Sequence, residues 1–227
     1  MATLTDLRTV LQDWTGAGST VLSTTITDAC INGAIARMQQ AHLWRGQEAV
    51  SSTLSFAANA ASATLPSDFI AEKAAYFYDS TQTAPSSQYE VIKRVDRDWW
   101  FEQRTSDANT DQIFPQVADP GGDTETSTRY ALWGDKLWLV PSPSSAVVVV
   151  LDYWGLLTDL SSGSDSNFFT TRYPHIVRKG ALAEAYDYLH EDERATLYRA
   201  QFEQEIQRAI LDDKTKAMSG GSRTRGA

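Results

Sequence analysis

Asp187 and Glu191 stand four residues apart in a stretch with helical periodicity, so a helix running through both would put two carboxylates on one face. Acid–base chemistry uses such pairs when their surroundings push the two pKa values apart. Carboxylates at this spacing on an open helix face otherwise only solvate it, and that is the expectation here. Cys30 is the one cysteine, which excludes an intrachain disulfide. Set among Ile26, Ile31, Ala34 and Ile35, it reads as a small buried hydrophobe rather than a nucleophile. His42, His175 and His190 are scattered, and His42 lacks Cys, His or carboxylate partners at ligand spacing. Thr15-Gly-Ala-Gly-Ser-Thr20 has the glycines of a phosphate loop but not its Gly-Lys-Ser/Thr ending, and it follows a helix rather than a strand. A helix stop accounts for it. The chain carries no HExxH, G-x-S-x-G, Walker, EF-hand or CxxC pattern. No catalytic residue, metal or cofactor is expected, and the chain is not read as an enzyme.

The aromatic residues offer a different chemistry. Trp99 and Trp100 adjoin Phe101, and Trp133, Trp138 and Trp154 follow within a β-rich stretch. Strand alternation sets Trp138 on one face with Lys136 and Val140, and Leu137 and Leu139 on the other. These rings fit two uses: packing between a sheet and a helix, or a platform for a partner protein or a sugar.

The elements that hold these rings are legible around Tyr130–Trp154. Tyr130–Trp133 and Lys136–Val140 are apolar runs separated only by Gly134-Asp135, a tight-hairpin signal. Pro141 and Pro143 end the second strand, because proline cannot donate to a ladder. Val147–Trp154 is β-branched and aromatic and reads as the third strand of a meander, buried on both faces at its centre. Upstream, Ala49–Phe56 alternates like a strand, with Ala63-Thr64-Leu65 as its expected partner. Glu72–Asp79 and Tyr89–Val95 are further strands. Asp96–Arg104 suits a short amphipathic helix with Asp96 as its cap, and Asp107–Ser127 is a long polar loop.

Both ends of the chain are helical. Thr3-Leu4-Thr5-Asp6 is a capping-box signal ahead of Leu4, Leu7, Leu11 and Trp14, and Gly16 and Gly18 stop that helix. Thr25-Ile-Thr-Asp28 is a second such signal, followed by Ile31, Ala34, Ile35 and Met38 at helical spacing. Gly155–Asn167 is a linker by composition. Pro174 then suits a first helical turn, with Ile176, Val177, Leu182, Ala185, Tyr186 and Leu189 as a buried stripe. Glu191-Asp192-Glu193 opens a last helix whose stripe runs through Tyr198, Phe202, Ile206, Ala209 and Ile210. The expected fold is α+β: a helical bundle built from the N- and C-terminal helix pairs, with an inserted antiparallel β domain. Residues 1–45 and 161–213 form the bundle, 46–160 the β domain with its short helix, and 214–227 a basic flexible tail.

The formal net charge of −9 over 227 residues argues against a grip on phosphate backbones. Residues 214–227 hold Lys214, Lys216, Arg223 and Arg225 and no acid, which leaves −13 on the rest. Asp6 and Arg8 interrupt the N-terminus with no apolar run behind them, and no stretch reaches membrane-spanning length, so neither a signal peptide nor a membrane partner is expected.

The pattern Y-x-L-x-G-D-x-L-x-L-x-P-x-P, here Tyr130, Leu132, Gly134, Asp135, Leu137, Leu139, Pro141 and Pro143, resembles the head–tail adaptor proteins of short-tailed phages, the tail-tubular-A-like group. Leu156–Leu160, Asn167-Phe168-Phe169 and Tyr173-Pro174 follow in the family's order, then an alanine-rich helix with Ala181, Ala183 and Ala185, and a second helix opening near Asp192-Glu193-Arg194-Ala195. The likeness covers Tyr130–Ile210 in detail and the first part of the chain in architecture. It implies a structural virion protein at the head–tail interface, assembled in the host cytoplasm. Such proteins form a twelve-fold ring of copies below the portal protein and pass the DNA channel to the tail nozzle protein, so double-stranded DNA would traverse it without specific binding. The family's C-terminal extension docks into the portal, a role that falls here on Lys214, Lys216, Arg223 and Arg225. The other expectation kept open is a tail-associated carbohydrate- or protein-binding β module.

Overall fold

The computed structural model describes residues 2–78, 89–106, 129–140, 142–143 and 146–220. It is mixed α+β, with two compact units: Met1–Gln47 with Leu156–Ala227, and Glu48–Gly155.

In the helical unit, α1 (Leu4–Thr15) begins with the expected capping box. The Thr3 hydroxyl accepts from the Asp6 N–H (3.3 Å), and the Asp6 carboxylate accepts from the Thr3 N–H (2.9 Å). Gly16 ends the helix in the left-handed region, φ +66°. α2 (Thr24–Ala41) starts earlier than the Thr25–Asp28 signal implies: Ser23 caps it by accepting from the Ile26 N–H (3.4 Å). Asp28 is engaged elsewhere, receiving the Arg8 guanidinium in two hydrogen bonds of 2.6 Å. α2 ends at Ala41, and Trp44 folds back into the core, its indole N–H donating to the Met38 carbonyl (2.6 Å). A 3-10 turn, Arg45–Gln47, follows.

Residues 156–167 are not the loose linker their composition suggests. The Asn32 amide clamps the main chain of Leu160 from both sides, donating to its carbonyl and accepting from its N–H, each at 3.0 Å. The Asp165 carboxylate accepts from the N–H groups of Ser161 (2.9 Å) and Ser162 (2.7 Å). Polar side chains thus satisfy a backbone that forms no ladder. After a short α4 (Phe168–Arg172), α5 (Pro174–Tyr188) opens with proline in its first turn, as expected. α5 stops before a turn in which His190 has φ +58°, so Asp187 and Glu191 do not share a helix face. They pair separately, Asp187 with Arg199 (3.6 Å) and Glu191 with Arg194 (3.0 Å). α6 (Asp192–Gly220) runs through the point where a flexible tail was expected: Lys214 and Lys216 are helical, and Arg223 and Arg225 lie outside the described residues. One continuous apolar cluster joins Leu7 and Leu11 of α1, Ile31 and Ile35 of α2, Val177 and Leu182 of α5, and Phe202 and Ile206 of α6. Gly180 lets α5 approach so closely that an added Cβ would meet the Ala34 Cβ and the Phe202 ring, both at 2.7 Å.

The β unit holds seven strands: β1 (Glu48–Phe56), β2 (Ser62–Thr64), β3 (Phe69–Tyr78), β4 (Tyr89–Arg94), β5 (Arg129–Trp133), β6 (Lys136–Val140) and β7 (Val147–Gly155). Their order, β1-β7-β3-β4-β5-β6-β2, brings the two end strands near each other, and the sheet is nearly closed. Three expectations are corrected. β7 does not complete a meander beside β6 but lies between β1 and β3, antiparallel to both. β2 pairs with β6 instead of β1. The domain is not wholly antiparallel, since β4 and β5 pair in parallel through Lys93–Arg129 and Arg94–Tyr130. A parallel pair cannot be joined by a tight turn; α3 (Arg97–Ser106) follows β4 in the chain, and the loop expected at Asp107–Ser127 lies outside the described residues. The predicted alternation on β6 holds. Leu137 and Leu139 join Phe56, Tyr130, Val149 and Leu151 on one face, while Val140 and Trp138 join Trp100 of α3 on the other.

Candidate functional site

The residues that stood out in sequence divide between the two units. In the β unit, Tyr130 is a core residue, and burial pushes its phenol up to about 12. Gly134 takes φ +62° in the hairpin turn, a conformation costly for any residue with a Cβ. The Asp135 carbonyl accepts from the Leu65 N–H (2.8 Å), and the Pro143 carbonyl from the Asn59 N–H (2.7 Å). Pro141 lies outside the described residues. The described motif residues of this unit therefore build the hairpin and its anchorage. Trp133 stacks on Trp138 with centroids 4.4 Å apart and planes 8° from parallel, and Trp100 packs edge-on against both. Arg129 lies over Trp99 (4.9 Å) and Lys136 over Trp138 (6.0 Å).

In the helical unit, Tyr173 lines one cavity with Lys216, and Pro174 opens α5 beside it in the chain. Tyr173 joins α4 to α5, its N–H donating to the Phe169 carbonyl (2.8 Å), and its ring lies 5.5 Å from Trp44 and 5.8 Å from Phe168. Phe168 and Tyr173 line an open cavity of about 320 Å³ together with Arg45, Arg172, Asp213 and Lys216. Asp213 is buried, with the His42 Nε2 at 3.3 Å and the Arg45 Nε at 3.7 Å. Arg45 also donates to the Lys216 carbonyl (3.4 Å). Lys216 pairs with Asp212 one turn back, and that ammonium holds the Asp212 carboxyl below its ordinary range. Burial raises the Tyr173 phenol. Gly46 packs against Phe168, whose ring would lie 2.1 Å from an added Cβ.

Of the four basic residues singled out near the C-terminus, the structure brings Lys216 to this cavity and leaves Lys214 exposed on α6. Arg45, Arg172 and Asp213 were missed in sequence. Asp213 had a readable signal: it falls on the Phe202, Ile206, Ala209 stripe of α6, where a carboxylate needs a partner. Arg45 and Arg172 had none, because each sits in an irregular segment or at a short helix end. Elsewhere Cys30 is buried as expected, and burial lifts its thiol to about 11, which suits packing and not nucleophilic work. Among the described residues no group of three or more His, Cys, Asp or Glu side chains is arranged to hold a metal, and no helix is long and apolar enough to cross a membrane.

A family model described as SU10 adaptor protein matches residues 2–225, which span both units. The chain belongs to this family of phage proteins. No curated protein matches it. The likeness carried by Tyr130, Gly134, Asp135 and Tyr173-Pro174 and the family match agree on a phage head–tail adaptor, a structural component of the virion. The match also takes in the first part of the chain, where the motif likeness is architectural only. In adaptor terms, the hairpin motif maintains the β unit, and Tyr173 connects the second half of the motif to the cationic cavity beside α6.

Proposed function

We propose that this adaptor assembles as a twelve-fold ring between the portal protein and the tail nozzle protein and continues the DNA channel from one to the other. In that ring, the N- and C-terminal helix pairs act as one bundle, with the β unit inserted between them in the chain. The observation that carries the reading is the family match over nearly the whole chain, joined to a C-terminal helix that extends well past the last core residue, Ile210, and bears Lys214 and Lys216. Those two lysines, with Arg223 and Arg225, are the proposed portal contacts, where basic side chains would steer onto an acidic groove. The net charge of −9 supports a channel wall that lets DNA slide without gripping phosphate. On this reading the protein is made in the host cytoplasm and retained at the head–tail interface.

The test is co-sedimentation with the portal ring from the same genome, using the full chain and a chain ending at Gly220. The full chain is expected to sediment with the portal at ring stoichiometry. If the shorter chain loses binding, the contact lies in residues 221–227; if it keeps binding, Arg223 and Arg225 are not needed for it. Failure of both to bind overturns the adaptor placement. The stacked Trp133–Trp138 pair keeps a carbohydrate-binding role testable, because flat rings beside Lys136 suit a sugar face. Trp100 already covers that pair, so the adaptor reading expects no glycan quenching of tryptophan fluorescence.

A further inference from the structure

The cavity at Tyr173 holds more positive charge than its own acids neutralise. Arg45, Arg172 and Lys216 face it, against Asp213 within it and Asp212 beside Lys216. Among these side chains three cations meet two carboxylates, leaving a surplus of one. The cations are not equally engaged: Arg45 is held to Asp213 and Lys216 to Asp212, whereas Arg172 hydrogen-bonds the neutral Tyr173 phenol and acts on the Asp212 carboxylate from beyond ion-pair distance. Arg172 is exposed at the end of α4 and lines the cavity. Beside it, Phe168 and Tyr173 offer apolar ring faces that could cover a methylene stem.

We infer that this cavity is a carboxylate-binding site that receives a glutamate or aspartate side chain from an acidic segment of a partner protein. A guanidinium presents two parallel donors that match a carboxylate. A surplus of one charge fits a monoanion. A dianionic phosphate would lie close to the buried Asp213 and to Asp212, and two like charges in one site repel. An extended nucleic acid would further meet a chain of net charge −9. The inference rests on the adaptor reading only for which virion protein supplies the acid; the chemistry of the cavity stands without it.

The test needs no portal. The full chain is titrated into a fluorescent, end-blocked peptide of alternating Glu and Gly, and into its Gln counterpart, with binding followed by anisotropy. The Glu peptide should bind at least tenfold more tightly than the Gln peptide. Arg172→Gln and Lys216→Gln should each weaken it several-fold, while Lys93→Gln, which alters an exposed lysine of β4 that does not line the cavity, should leave it unchanged. Far-UV circular dichroism confirms that each variant keeps its helices. In competition, acetate should displace the peptide more effectively than inorganic phosphate or a DNA duplex. Equal binding of the two peptides overturns the inference, as does a loss with Lys93→Gln as large as with Lys216→Gln, or stronger displacement by phosphate or duplex. A failed portal co-sedimentation alongside a positive peptide titration would remove the adaptor placement and keep the site.

Discussion

In the helical unit one apolar cluster runs without a break from Leu4 of α1 to Ile210 of α6, whereas the β unit divides its core between the two faces of a sheet. The first arrangement concentrates its dependence on a few central side chains. The second spreads it, with Leu137 and Leu139 on the inner face and Trp138 and Val140 on the outer face of a single strand. The irregular parts differ too. In the helical unit they are tied down by side chains such as Asn32, Asp165 and Trp44, while the β hairpin depends on backbone geometry at Gly134. A unit with one core and pinned loops suits a fixed frame for the cationic cavity.

The largest effect should come from Phe202→Ala. The ring is fully buried between α5 and α6, and its loss should cost the helical unit about 3–5 kcal/mol. Urea unfolding followed by the far-UV helix signal measures this, and an intact near-UV signal from the stacked tryptophans would show that the β unit keeps its own core. The mirror experiment is Trp100→Ala, expected to cost about 3 kcal/mol and to collapse that near-UV signal while the helix signal holds. If either substitution melts both signals together, the comparison between independent cores fails. Gly46→Ala comes next, at about 1–3 kcal/mol, because the new Cβ forces the Phe168 ring aside. It should also weaken peptide binding at the cavity. Gly134→Ala should cost about 1–2 kcal/mol from its positive φ alone.

The smallest effect expected is a pH dependence. The Cys30 thiol is raised in the folded chain from 9.0 to about 11, so its contribution to stability is complete below pH 9.0 and lost as pH rises through about 11. Cys30→Ala should flatten that part of the stability curve. An unchanged slope would mean that the thiol is not held protonated by the core.

What the sequence disclosed follows from how local each signal is. The capping box at Thr3, the Gly134 turn and the Pro174 helix start depend on neighbours a few residues away, and all three appear where expected. The place of β7 between β1 and β3 depends on partners about 70 to 106 residues away in the chain, and an apolar strand carries no label for its neighbours. The serine-rich stretch 156–167 looked loose because its order comes from the distant Asn32 and from α1. The cavity was half legible: Tyr173 and Lys216 had been singled out, but only folding brings Arg45 and Arg172 beside them.

The adaptor account is tested most directly by the mass of the complex formed with the portal ring, read by native mass spectrometry. The account predicts portal plus twelve copies of this chain, with no intermediate stoichiometry persisting at excess adaptor. A portal ring that keeps its own mass under saturating adaptor would contradict it.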